Sequence, residues 1–345
     1  MPDERVRIAL VGCGNIARAH WRGIRYGAPL LEVTAVVDAD ADRAAAMAAR
    51  TGGRAFTSLT EALAQGDFDA VDLMLPHDLH EAAVLEAFAA HKHVVLEKPM
   101  APTLDACARI LAAAEASGRV FMIAEQSQFW PDAMRIQELL AAGAIGDVIW
   151  ARAFFFDPPE SSGSVGNPAD PIPWRFRLAR SGGGISMDGG AHWIRPLRMW
   201  FGDVESVMAT TGRHVAEMEG ESRAHAVFRF SSGVTATFDA LLGAGPGAPT
   251  EDFRITGTAG EIVAERGNGG RLLLYDAAHP QGEVLLDSFA GRSDAFGVEL
   301  NEFSRAVLHG EPFTAGPEHS LGELRTALAM YRSAKSGRWE QVAHD

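Results

Sequence analysis

Apolar and polar positions along the chain follow two rhythms. Up to about residue 124, short apolar runs alternate with stretches of helical spacing. The runs 8–11, 31–37, 70–75, 93–96 and 120–124 read as buried strands. The stretches 15–25, 41–51, 58–65, 80–90 and 104–117 read as helices. Such alternation with short connections predicts an α/β fold with a parallel, doubly wound sheet. Beyond residue 125 the rhythm changes. A helix is expected at 131–142, closed by Gly143 and Gly146, and a β-rich run at 147–156 ends in three phenylalanines. Seven short β runs follow, at 204–211, 224–230, 234–241, 253–257, 260–264, 271–275 and 283–286. Gly, Asn and Ser punctuate them, as in antiparallel strands and hairpins. Helices are expected at 187–200, 294–308 and 318–336. Phe296, Leu300, Phe303 and Val307 recur at helical spacing and read as core packing.

The change of rhythm sets a domain division at 1–124 and 125–345, and 345 residues exceed one comfortable hydrophobic core. The 47% hydrophobic and 22% charged composition is that of a globular protein. A net charge of −14 leaves no basic excess to displace counterions, which argues against nucleic acid as a partner. Neither Cys13 nor Cys107 belongs to a C-x-x-C pair, so neither a disulfide framework nor a zinc site is expected. No apolar run reaches membrane-spanning length. The N-terminus shows no signal-peptide pattern, and a cytoplasmic location is the expectation.

The first strand runs into Gly12-Cys13-Gly14, and Asn15 and Ile16 open the next helix. Strand, Gly-x-Gly and helix in that order give a glycine motif physical meaning. Gly12 permits the tight turn, Gly14 lets a diphosphate approach the backbone, and Ala17 keeps helix and strand close. The helix N-terminus offers N–H groups to phosphates. The second strand ends in Asp38, 21 residues beyond Ala17, where a carboxylate accepts from ribose hydroxyls and repels a 2′-phosphate. The expected cofactor is NAD; Arg43 leaves NADP open.

Ligands of doubly wound sheets bind beyond the carboxyl ends of the strands. Polar residues of this half gather there: Leu75-Pro76-His77 with His80 on the next helix, Glu97-Lys98-Pro99, and Glu125-Gln126. Turn chemistry and a helix cap are the plainer reading of the histidines. A lysine directly after a buried strand must be solvated, paired or used. As part of a cofactor site, Lys98 is the leading catalytic candidate, able to steady an alkoxide or exchange a proton. Glu97 is placed to orient or charge-balance it. Whether the bond before Pro99 is cis is not legible in sequence.

In the second half, residues 157–173 hold five prolines and three serines and read as a substrate-side loop. Trp174-Arg175 follows, either a packing anchor or a wall of the site. Gly182-Gly183-Gly184 opens the helix expected at 187–200, on which Asp188 and His192 share one face. An imidazole suits proton transfer near neutral pH. No third ligand accompanies this pair at convincing spacing, so no metal is expected.

The glycine motif, Pro76-His77-x-x-His80, Glu97-Lys98-Pro99, Trp174-Arg175 and the 182–192 segment together resemble the Gfo/Idh/MocA oxidoreductases, from residue 6 to about 337. The resemblance implies a Rossmann fold followed by an α+β domain with a large, open, mostly antiparallel sheet. It also implies closing helices that pack back on the first domain, and an active site between sheet and nicotinamide. Gly12, Gly14, Asn15, Ile16, Asp38, Leu75, Pro76, His77, His80, Glu97, Lys98, Gln126, Trp174 and Arg175 would form the cofactor site. Lys98, Asp188 and His192 would be catalytic, with His192 the acid–base group in many members. The implied reaction is hydride transfer with a sugar, glycoside or cyclitol, in a homodimer or homotetramer built through sheet faces. Many members carry Asp three residues after the histidine; Arg195 stands there, placed to add positive charge near the pocket. Two alternatives stay open: transient sugar oxidation with retained NAD, and an NAD-binding sensor without turnover.

Overall fold

A computed structural model describes residues 4–157, 172–243, 250–266 and 269–343. All of the proline-rich loop except its two ends lies outside them. The chain divides into two compact units: residues 1–126 with 293–321, and residues 127–292 with 322–345.

The first unit contains β1 (Val6–Val11), α1 (Asn15–Gly27), β2 (Leu31–Val37), α2 (Ala41–Thr51), β3 (Arg54–Phe56), α3 (Leu59–Gln65), β4 (Ala70–Leu73), α4 (His80–Ala89), β5 (His93–Glu97), α5 (Leu104–Ser117) and β6 (Phe121–Ala124). The six strands are all parallel in the order β3-β2-β1-β4-β5-β6, the Rossmann arrangement. Both sheet faces are covered, so the strands carry near-continuous apolar runs. β3 is an edge strand of three residues, too short to leave an apolar pattern. Side chains cap α2, α3 and α5: Asp40, Ser58 and Thr103 accept from backbone N–H groups in the first turn. α1 is preceded by Gly14 and has no such cap. Helix Ala295–His309 returns to this unit and crosses α1 at three glycines. A Cβ on Gly23 would lie 2.8 Å from the Phe296 carbonyl carbon, and one on Gly27 would lie 2.7 Å from Gly297 Cα. Leu300 and Phe303 complete the apolar core with Ile8, Leu10, Ile24 and Val36.

The second unit holds α6 (Pro131–Ala141), β7 (Val148–Asp157), α7 (Leu178–Ser181), α8 (Ala191–Phe201), β8 (Val204–Gly212), β9 (Arg223–Phe230), β10 (Thr235–Leu242), β11 (Thr250–Gly257), β12 (Gly260–Arg266), β13 (Arg271–Asp276), β14 (Glu283–Leu286) and β15 (Glu340–Gln341). Nine strands form one sheet in the order β14-β13-β12-β11-β7-β10-β9-β8-β15, antiparallel except for β7 beside β10. Along β7, Ala151, Ala153 and Phe155 are buried on one face, where Phe155 meets Trp193 of α8 at 4.4 Å between ring centres. Trp150, Arg152 and Phe154 alternate onto the other face. Helix Leu321–Ser336 belongs to this unit, where Ser333 Oγ accepts from Ala209 N at 2.9 Å.

The first unit's core contains a group of ionisable side chains, His20, Asp72, Glu97, Glu125 and Glu299, all buried. Burial pushes the Glu299 carboxyl well above its ordinary value; His20 opposes this, and Glu97 and Glu125 add to it. The native state therefore holds that proton more tightly than the unfolded chain. The stabilisation is complete below 4.5, the ordinary value, and is lost as pH rises towards the folded-state pKa. The slope is up to about 1.4 kcal/mol per pH unit. Glu299→Gln keeps the shape of the neutral acid and has no proton to lose. Thermal melts across the neutral and alkaline range should show this variant more stable than wild type, with a flatter pH dependence. A steeper alkaline loss in the variant would contradict the assignment.

Candidate active site

β1 delivers the chain to Gly12, whose φ of +93° lies in the left-handed region, and a Cβ there would collide with the Met74 carbonyl. Only glycine fits this crossing of β1 and the end of β4. A Cβ on Gly14 would meet nothing within 4 Å. The space over Gly14 and the uncapped start of α1, with Asn15 exposed and Ile16 half-buried, fit a diphosphate. At the tip of β2, Asp38 accepts from Cys13 N at 2.8 Å and from Asp40 N at 2.9 Å. Its carboxylate thus ties the β2 tip to the glycine loop. Arg43 Nε lies 3.1 Å from Asp40 and 3.7 Å from Asp38, so its charge is matched by two carboxylates. The Cys13 thiol is pushed up to about 11 by burial and by Asp38, which leaves it protonated. These groups would hold NAD at its diphosphate and adenosine ribose. Asp38→Ala removes both the ribose acceptor and the brace on the loop. The KM for NAD should rise by about tenfold or more, with a smaller change for NADP, read from initial rates with each cofactor. Equal changes for both would count against Asp38 as the selector.

At the carboxyl ends of β4, β5 and β6 the candidates separate into two sets. Leu75, Pro76, Lys98 and Gln126 are half-buried at the rim, and the bond from Lys98 to Pro99 is cis. The other three, His77, His80 and Glu97, turn inward and are buried. His80 is fully buried, with Nδ1 3.0 Å from the Pro99 carbonyl and Nε2 2.9 Å from the Leu75 carbonyl. Burial lowers its pKa, and the hydrogen bonds to the Leu75 and Pro99 carbonyls oppose the fall. Glu97 Oε1 accepts from His20 Nε2 at 2.9 Å, its side chain turned into the core. His77 is buried too, its ring centre 5.6 Å from that of His80.

In the second unit, the helix expected from 187 begins only at Ala191. Asp188 stands in the preceding turns, so the two candidates do not share a helical face. The reason is Gly189-Gly190: a Cβ at either would strike the ring of Phe155 or Phe238, so this backbone lies flat against the sheet. Arg175, in a 3-10 turn with Trp174, donates from Nε to Asp188 Oδ2 at 2.8 Å and lies over the Trp174 ring at 4.4 Å. His192 is half-buried on α8, 6.3 Å from the Trp130 ring centre. Arg195 does not supply a pocket charge. It is buried, giving Nη2 to Glu323 at 2.9 Å and Nη1 to Gln128 at 2.8 Å.

Two further residues organise this segment without a local sequence signal. Glu221 accepts from Gly184 N, Ser186 N and the Tyr331 hydroxyl, each at 2.9 Å. Burial raises the Glu221 pKa and these hydrogen bonds oppose the rise. A side chain on Gly184 would overlap Glu221, and one on Gly183 the Tyr331 hydroxyl. The glycine run is therefore a segment clamped from both sides rather than a flexible turn. Among the described residues, no group of three or more His, Cys, Asp or Glu is placed to hold a metal ion, and no helix is long and apolar enough to cross a membrane.

A Rossmann sheet with an uncapped helix over a glycine turn and an acidic strand tip defines an NAD-binding protein. Family comparison places it further. Residues 6–125 match the oxidoreductase family with an NAD-binding Rossmann fold, and residues 133–263 match the GFO/IDH/MocA C-terminal domain. The chain belongs to the Gfo/Idh/MocA oxidoreductase family. It is 30% identical to a 1,5-anhydro-D-fructose reductase of Ensifer adhaerens, over 97% of this chain and 98% of the relative. It is 31% identical to a D-apiose dehydrogenase of Paraburkholderia graminis, over 97% and 89%. Among solved structures, the fold is shared with a levoglucosan dehydrogenase in complex with NADH (TM-score 0.85, 21% identity, 98% and 99% covered). It is also shared with the WlbA dehydrogenase of Bordetella pertussis in complex with NADH and UDP-GlcNAcA (TM-score 0.84, 24% identity, 100% of both chains).

Proposed function

We propose that this oxidoreductase moves a hydride between the nicotinamide of NAD, with NADP as a second choice, and a secondary alcohol or ketone carbon of a sugar, glycoside or cyclitol. The observation that carries this reading is Lys98, a half-buried lysine directly after β5 at the cofactor edge of the sheet. Relatives named as sugar and cyclitol reductases and dehydrogenases, alike over most of their length, support the substrate class. The nicotinamide supplies hydride acceptance and donation when bound. In the oxidation direction, His192 or Lys98 receives the hydroxyl proton, the two acting in one relay, and Asp188, paired with Arg175, orients the substrate. Residues 1–124 provide the cofactor site and 125–345 the substrate side, in a cytoplasmic enzyme. Lys98→Met and His192→Ala should each lower kcat/KM by about a hundredfold or more against a sugar panel followed at 340 nm. Unchanged values in both variants would sink the assignment.

The second unit's sheet also supports self-association as a homodimer or homotetramer. Its face away from α8 carries a hollow of about 500 Å³ lined by Trp150, Arg152, Met208, His225, Thr237 and Asp239. Arg152 and His225 both pair with Asp239 there, at 3.3 Å and 2.7 Å. Light scattering on eluted protein should give two or four chains per particle, and Trp150→Glu should lower that number. A monomer at all concentrations would exclude it.

A further inference from the structure

Hydride transfer leaves unused the group of ionisable side chains buried in the first unit. His20 lies on the inward face of α1, in line with Ala17 and Ile24, and has no exposed surface. Its Nδ1 is 2.8 Å from Asp72 Oδ2 on β4, and its Nε2 is 2.9 Å from Glu97 Oε1 on β5. Phe296 closes over the ring at 5.5 Å. Two carboxylates facing the two ring nitrogens are both satisfied when both nitrogens carry protons. Burial opposes that charge, but Asp72 and Glu97 outweigh it and raise the His20 pKa well above its ordinary value.

The chain position of Glu97 gives this arrangement its consequence. Glu97 immediately precedes Lys98, and Pro99 follows. The Glu97 carboxylate is held by His20, while the Pro99 carbonyl is held by His80. His80 Nε2 also lies 2.9 Å from the Leu75 carbonyl, so the ring sits between the β4 and β5 ends. The residues on both sides of Lys98 are thus fixed by buried imidazoles from different helices. α1, which carries His20, is also the helix whose start fits the diphosphate. A lysine at the end of a strand has four rotatable side-chain bonds, so its use in catalysis depends on a backbone that does not drift.

We propose that His20 and His80 are positioning residues for Lys98: His20 through Glu97 and His80 through Pro99 bracket the lysine and present it in one orientation at the cofactor edge. This rests on Lys98 acting in hydride transfer, and it assigns His80 to the bracket rather than to the cofactor.

The chain has three lysines, Lys92, Lys98 and Lys335, which makes the bracket directly observable. Reductive methylation with ¹³C-formaldehyde keeps each charge and gives three resolvable dimethyl-lysine signals, of which Lys98→Arg identifies one. In His20→Asn and in His80→Asn the Lys98 signal should move or broaden, with those of Lys92 and Lys335 unchanged. In unmethylated protein, both variants should lose between about tenfold and a hundredfold in kcat with little change in the KM for NAD. Glu97→Gln keeps an acceptor for His20 and should lose less than Glu97→Ala. If His20→Asn does not fold, His80→Asn and the two Glu97 variants carry the test. A Lys98 signal unmoved in folded variants overturns the bracket, and so does an unaltered kcat. If wild type oxidises no sugar, the proposed activity fails, while the Lys98 signal still decides the bracket.

Discussion

Gly12 passes so close to the Met74 carbonyl that a side chain has no room, and the rest of the cofactor site depends on that approach. The crossing fixes where β1 stops and where α1 starts. Gly12 N donates to the Val37 carbonyl at 2.8 Å and Cys13 N donates to Asp38, so the same two residues also fix the tip of β2. Met74 N donates to the Val11 carbonyl at 2.8 Å, which brings in the end of β4. Three strand ends and one helix end are therefore set by backbone groups around a single glycine. Backbone hydrogen bonds of this kind exchange one partner for another at little net gain, but leaving one unmade inside the core is costly. The loop consequently has few alternative conformations, and the amides at the start of α1 stay directed at the space over Gly14.

This also explains why the first unit was legible in the sequence. Parallel strands buried on both faces read as continuous apolar runs, and short connections leave few topologies. The strand and helix boundaries expected there agree with the structure to within two residues. β3 left no pattern because three edge residues, two of them exposed, need no apolar character. The glycine turn and the strand-tip carboxylate were legible for the same reason: both are demands of backbone geometry, and such demands appear as residue types at fixed spacing.

Side-chain direction was not legible. Glu97, His77 and His80 sit at the expected strand ends and point inward, because a residue's place along a strand end does not decide which way its side chain turns. Asp188 and His192, four apart, suggested one helical face; the Gly189-Gly190 pair, pressed onto Phe155 and Phe238, separates Asp188 from α8. Helical spacing is a weak guide where each glycine costs a helix about 1 kcal/mol relative to alanine and the sheet lies directly beneath. Arg195 read as a pocket charge and is instead consumed by Glu323 and Gln128. Glu221 lies 29 residues beyond His192 in sequence, yet it holds the glycine run through two backbone amides.

The two units thus present their chemistry by different means. In the first, backbone geometry shapes the site, and buried histidines secure the one catalytic candidate it contributes. In the second, side-chain ion pairs and aromatic contacts set each candidate separately: Arg175 on Asp188, Trp130 beside His192, Glu221 beneath the turn. A backbone-built cofactor site tolerates wide changes of surrounding sequence, since any residue supplies an N–H. A site built from paired side chains changes its character when one partner is exchanged. That asymmetry fits relatives that share the cofactor fold at identities near 30% and differ in the sugar for which they are named. In this chain the Arg175–Asp188 pair is such a place, where an exchange of either partner would leave the other's charge unmatched by it.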